Sequence, residues 1–357
     1  MNEAFLRPDE IEEYIQRIVA IYRDYQVNDR GFKTFVTLPE TNANNNWIED
    51  MQNTFVAANI LLPLTLLDTP EARKIINTEF AYLSHFRNAF GLWRYFEDTD
   101  APYFIPYETD TNALLSYISV YLDEKPVAKY YFNQQITESG YVNLWFLPAV
   151  KILFTNPFYF CNLLGSWNKA KKFLAFKNKV VNRDDAEFCV TANVLLYMGN
   201  SNQTKNIIFR LLEDMRSSKS IKLTYYPFSI IAYYLFARAY YYGQITAFEK
   251  VKSILTEKVK SAYYKEIKYS KHLTILAANI FLFFNIRNSF SEKIIAECCG
   301  LYKNIEEPFP FYCSNKDLDI DSVTGLPNVF FGSKDLTVSF YLEFLVLLKK
   351  KSYKPEV

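Results

Sequence analysis

The chain alternates two kinds of helical segment, and that alternation restricts its fold more than any other feature. Apolar residues recur at helical period over 9–25, 69–88, 167–177, 203–218, 245–264 and 290–303, each segment keeping a charged opposite face. The other set, 48–67, 110–123, 185–199, 226–242, 272–286 and 335–349, is apolar on most faces. A helix apolar all round has to be enclosed on every side, whereas an amphipathic one buries a single stripe. Two sets of six in alternation predict concentric rings, with the apolar helices lining the centre and the charged ones covering them. The expected fold is all-α, an (α/α)6 barrel or toroid. No composition shift marks a linker, so 1–357 is read as a single toroid domain.

Local signals place several of the boundaries. Thr109 or Asp110 is expected to cap the second inner helix, Asp184 the third and Ser333 the last. Pro227 sits where a missing N–H costs little at the start of the fourth, and Gly199 and Gly243 stop the third and fourth. Broken helices and loops are expected over 126–166, which holds Gly140, Pro148, Pro157 and Gly165. A loop is expected over 304–333.

Composition excludes several function classes. A net charge of +1 lacks the basic excess of a bulk nucleic-acid binder, so no nucleic-acid partner is expected. No G-x-G-x-x-G, G-x-x-x-x-G-K-[ST] or G-x-S-x-G is present, which leaves Rossmann, P-loop and α/β-hydrolase sites without support. Five cysteines without a C-x-x-C read as reduced thiols of a cytoplasmic protein. The acidic, amphipathic N-terminus is unlike a signal peptide. The apolar stretch 142–165, interrupted by Lys151, Pro148 and Pro157, reads as a buried core segment, with a shallow membrane-touching patch as its alternative. His85 and His272 read as surface or capping residues, and the acidic strings at 97–100, 184–187 and 317–321 lack the spacing of magnesium or calcium sites.

Each inner helix is preceded by polar or acidic residues: E-D-M-Q-N-T at 49–54, E-T-D-T-N at 108–112, D-D-A-E at 184–187 and G-S-K-D at 332–335. If the helices share one sense, these starts gather as a polar rim over an aromatic cavity. Ordinary N-capping calls for the same residue types.

The stretch 106–113, P-Y-E-T-D-T-N-A, resembles the D-x-D-D-T-A motif of class II terpene cyclases of the squalene–hopene cyclase kind. The stretches 189–199 and 329–345 resemble inner-helix segments of the terpenoid-cyclase and protein-prenyltransferase toroid superfamily. The resemblance implies proton-initiated cyclisation of a polyprenyl or prenylated substrate, a hydrophobic isoprenoid-type small molecule, with Asp110 as general acid. Glu108 falls on the first motif position, Thr111 on the third and Asn112 on the fourth, and Glu108 and Asn112 are expected to tune the acid. The zinc ligands of the prenyltransferase branch are not in recognisable order, so no metal or other cofactor is expected. Trp47, Asn53, Asp185, Asn193, Tyr226, Tyr233, Phe331 and Lys334 are placed at the rim or facing the cavity as substrate contacts. The domain closes its own pocket or borrows a second subunit. A non-catalytic toroid that binds an apolar ligand or a partner protein stands beside the enzyme as the alternative.

Overall fold

In a computed structural model of the protein, residues 5–27, 32–37, 48–50, 52–96, 106–176, 186–313 and 329–351 are described. Six helices form the inner ring: α2 (Thr54–Leu64), α4 (Thr109–Tyr121), α8 (Phe188–Met198), α10 (Ser229–Tyr242), α12 (Leu273–Phe283) and α14 (Lys334–Lys350). Each packs on the next in that order and α14 returns to α2, so the ring closes. Outside it lie α1 (Pro8–Val27), α3 (Pro70–Leu83), α7 (Pro157–Phe176), α9 (Lys205–Arg216), α11 (Lys252–Glu266) and α13 (Ser289–Cys299). The short α5 (Lys129–Asn133) and α6 (Val150–Thr155) complete the helices among the described residues. The expected α/α toroid is the observed fold.

Burial explains the two rings. Every residue of α12 is buried, as a helix enclosed on all sides requires. On α9 only Ile207, Ile208, Leu211, Leu212 and Met215 are buried, one stripe facing α8. Gly199 ends α8 at φ +68°, a conformation that favours glycine. Gly243 ends α10 for a different reason: an added Cβ would lie 2.6 Å from the Ala239 carbonyl oxygen and 2.8 Å from that of Leu195.

Several boundaries differ from expectation. The first inner helix starts at Thr54, because the Asn53 side chain accepts from the Val56 N–H as an N-cap. The preceding residues form β2 (Ile48–Asp50). The α4 N-cap is Glu108, one residue before the expected Thr109 or Asp110. The third inner helix starts at Phe188 behind Glu187, and Asp184 lies outside the described residues. The outer helix expected from residue 167 begins at Pro157, a proline at the first helical position instead of a break. Ser333 caps α14 as expected, accepting from the Leu336 N–H.

The sequence reading missed a sheet. Strands β1 (Thr34–Thr37), β2, β5 (Tyr312–Cys313) and β6 (Phe330–Gly332) pair antiparallel in the order β2-β1-β6-β5. It spans the starts of α2 and α14. A second pair joins β3 (Val142–Asn143), between α5 and α6, to β4 (Ala186–Glu187), which leads into α8; just past β3, Trp145 bridges to Glu108 at the start of α4.

Candidate active site at the start of the inner helices

The polar groups that precede the inner helices meet at one end of the ring. Asp110, the second residue of α4, is 3% exposed. Its Oδ1 accepts the Thr111 N–H at 2.8 Å. Its Oδ2 accepts the hydroxyl of Tyr226, from the approach to α10, at 3.4 Å. Asn193, on α8, donates to the same carboxyl and to the Tyr226 hydroxyl at 3.4 Å. The Asn193 Oδ1 is buried without a partner. Two inner helices and the approach to a third thus deliver Asp110, Asn193 and Tyr226 to one spot.

Burial pushes the Asp110 carboxyl up to about 6, opposed by the hydrogen bonds from Thr111, Asn193 and Tyr226. Beside it, burial and then the negative charge of Asp110 raise Glu108 well above the usual carboxylate range, while the Thr111 hydroxyl, donating to Glu108 at 2.6 Å, acts the other way. Asp110 is buried and Glu108 half-buried, and two carboxyls this close do not both ionise readily, so the pair favours a proton kept on at least one of them near neutral pH.

The flank of Asp110 is pinned by the strand that follows β3. Thr109 donates from its hydroxyl to the Asn143 carbonyl at 2.5 Å and from its N–H to that of Leu144 at 2.7 Å. Asn112 takes part in a different framework. Its amide donates to the carbonyls of Trp93 at 3.0 Å and Glu108 at 2.7 Å, and its Oδ1 accepts the Trp93 N–H. These bonds all go to backbone, so its bearing on the acid runs through Glu108.

Aromatic rings gather beside Tyr226, the phenol that bonds the acid. Phe311 is fully buried and lies edge-on to Tyr226 at 6.0 Å, 6.4 Å from Phe55 and 4.9 Å from Phe340. Tyr312, beside it in β5, stacks on Phe331 at 4.9 Å and shares hydroxyl contacts with Asn53 at 3.2 Å and Tyr95 at 3.1 Å. Asn53, Asn193, Tyr226 and Phe331 therefore gather around this end. Tyr233 is buried further along α10, and burial pushes its phenol up to about 12. Lys334 is exposed, its ammonium 5.6 Å over the Phe35 ring. Trp47 and Asp185 lie outside the described residues, as do the acidic strings at 97–100 and 317–321. His272, expected at the surface or as a cap, takes the N-cap position of α12 without a side-chain cap bond and is buried at 3% exposure near Phe309.

Sequence reasoning missed the contribution of residues 309–313. Alternation in F-P-F-Y-C puts Phe309, Phe311 and Cys313 inward, a strand signal that the neighbouring prolines obscured. Among the described residues no three His, Cys, Asp or Glu side chains gather as a metal site.

The closed ring is an α/α toroid, and its fold is similar to that of solved type II terpene cyclases. A structure of type II terpene cyclase MstE from Scytonema, a variant in complex with the substrate geranylgeranyl dihydroxybenzoate, matches with a TM-score of 0.59 at 12% identity, covering 95% of this chain and 98% of that one. An MstE variant in complex with merosterolic acid A, its product, matches at 0.56 and 12% identity, covering 95% and 98%. A protein from Actinoplanes is similar at a TM-score of 0.62 and 13% identity, covering 94% of this chain and 99% of that one. No protein-family model matches the chain, and no curated protein does.

Proposed function

We propose that this protein is a type II terpene cyclase-like enzyme in which Asp110 protonates an alkene of a prenylated, hydrophobic substrate. One observation carries the reading: a buried carboxyl, raised to about 6, sits where α4, α8 and the approach to α10 converge, with Phe311 edge-on to Tyr226. An alkene is a weak base, so its proton donor has to stay neutral until reaction, exclude water and be strengthened as its charge develops. Burial moves the carboxyl toward the first, up to about 6, and supplies the second. The Thr111 N–H, Asn193 amide and Tyr226 hydroxyl supply the third, because each bonds the carboxylate better than the acid. Transfer of the Asp110 proton to the alkene carbon leaves a carbocation. The π electrons of the next double bond close each ring, and the final cation loses a proton, so the product is an isomer of the substrate. Ring faces stabilise the travelling charge. Glu108, itself held toward the neutral form, stands beside the spent acid as a source for reprotonation.

The extent of the match to MstE supports 1–357 as one toroid domain of this kind that needs no second subunit for its ring. The test is incubation of purified protein with geranylgeranyl dihydroxybenzoate and with farnesyl and geranylgeranyl substrates, comparing wild type with Asp110→Asn by mass spectrometry. An isomer of unchanged mass is expected, falling at least about 100-fold in the variant, the scale of a lost general acid. Equal product from both would remove the acid role.

One observation favours the alternative of a non-catalytic toroid: Phe311 already fills the ground over Tyr226. Ligand binding without turnover in the same screen is the outcome that selects it.

A further inference from the structure

Glu187 stands at an N-cap position, yet its side chain makes no cap bond to its own helix, α8. The carboxylate reaches across to the approach to α10 instead, where its Oε2 accepts the Thr224 N–H at 2.7 Å. Both residues are buried. A buried backbone donor needs a partner, and here a side chain from the start of another inner helix supplies it. Glu187 is itself fixed in place. It pairs with Val142 between β4 and β3, and its carbonyl accepts the Thr191 hydroxyl at 2.7 Å.

Residues 221–228 lie outside helix and strand, so no regular ladder sets where Tyr226 points. The start of α10 has a carboxylate of its own: Glu266, on α11, accepts the Ser229 N–H at 3.0 Å and the Ile230 N–H at 3.1 Å. Glu187 is therefore not spent on starting that helix, and its bond falls two residues ahead of Tyr226. On the other side of the same segment, the Cys313 N–H donates to the Tyr225 carbonyl at 2.8 Å. The Tyr226 hydroxyl meets Asp110 Oδ2 at 3.4 Å. Such a bond is usually about 2.7–2.8 Å, so a small movement of the chain strengthens or breaks it.

We propose that Glu187 is a positioning residue for Asp110: its carboxylate holds the chain at Thr224 so that the Tyr226 hydroxyl reaches the acid. This rests on Asp110 as the proton donor and adds the group that places its phenol partner. Burial, then the charges of Asp110, Cys189, Glu187 and Glu108, hold the Tyr226 phenol well above its usual range, so it meets the carboxyl as a neutral donor. On Asp110 itself, the bond from Tyr226 works against burial by favouring the ionised form.

The test follows the infrared C=O stretch of the protonated Asp110 carboxyl, in full-length protein carrying isotope-labelled aspartate, from acid to weakly alkaline pH. Loss of the band in Asp110→Asn assigns it. Glu187→Ala is expected to raise the midpoint by about half a unit, because a bond that favours the carboxylate is lost. Removing a negative charge alone would lower it, so the sign separates placement from field. Glu187→Gln keeps an acceptor oxygen and is expected to titrate like wild type. Tyr226→Phe is expected to raise the midpoint too, and Glu187→Ala added to it to raise it no further. Glu187→Asp keeps the charge on a shorter arm; it is expected to shift the midpoint upward, and it carries the test if the alanine variant does not fold. An unchanged or lowered midpoint in the folded Glu187 variants that lose reach, or shifts of Glu187→Ala and Tyr226→Phe that add in full, overturns the proposal. The readout needs no substrate, so it is distinct from the product screen: the expected shifts in a protein that forms no product uphold the placement and remove the cyclase.

Discussion

Replacing Asp110 by asparagine is expected to make the protein more stable at neutral pH while removing its acid. The carboxyl rises from an ordinary 3.8 to about 6 on folding. At about 1.36 kcal/mol per unit, this is ~3 kcal/mol of differential protonation energy. The folded-state value is the higher one, so the folded chain holds this proton more tightly than the unfolded chain. The stability this adds is fully present below about 3.8 and is lost as pH rises through about 6. Asparagine keeps the shape and stays neutral throughout. Its Oδ1 still accepts the Thr111 N–H, and its amide turns to the Tyr226 hydroxyl oxygen. Removing the charge also relieves Glu108, whose upward shift owes part of its size to Asp110. Urea unfolding at a series of pH values from 4 to 7.5 measures the difference. The variant is expected to gain up to ~3 kcal/mol at the upper end, with the gain shrinking toward the lower end. A variant that is less stable at neutral pH and keeps the wild-type pH dependence would refute the claim that Asp110 is held dry at a cost.

Two further outcomes follow from the packing. Gly243→Ala would press a Cβ onto the Ala239 and Leu195 carbonyl oxygens and onto the Leu196 Cα at 3.3 Å, all backbone, and is expected to cost roughly 2–3 kcal/mol in thermal unfolding; a loss of a few tenths would show that α8 and α10 yield easily. Arg238, fully buried, donates to Asn59 at 2.8 Å and lies 5.2 Å over the Tyr234 ring, while Glu343 accepts from Tyr234 at 2.6 Å and Tyr242 at 2.8 Å. Arg238→Met is expected to cost about 3 kcal/mol by leaving a buried carboxylate without its counter-charge, and Glu343→Leu added to it to recover much of that; equal unfolding of the single and double variants would separate the two groups.

Much of the ring was legible before any coordinates. Helical period and all-round apolarity located six inner and six outer segments, because both quantities are local and a closed ring of helices preserves their order. Asn53 marks the limit of such reading. The residue is polar and falls at the edge of an apolar run, so period alone extends the helix across it, whereas the pairing of Ile48 with Val36 ends it there. The sheet was hidden for the same reason. Strands of two to four residues have no periodicity to detect, and β1 and β6 are partners across most of the chain. Arg238 and Glu343 lie more than a hundred residues apart in sequence yet belong to one buried network, and nothing local in either helix announces the other.

The candidate site divides along the same line. The chain's own order of residues settles that Glu108, Asp110 and Thr111 share the first turn of an apolar helix, since neighbours in sequence are neighbours in a helix. That Asp110 is buried, that Asn193 and Tyr226 reach it, and that Phe311 packs edge-on to Tyr226 are properties of the closed ring alone. A carboxyl's proton affinity is set by the solvent and dipoles around it, and here those are contributed by helices that meet only when the toroid shuts.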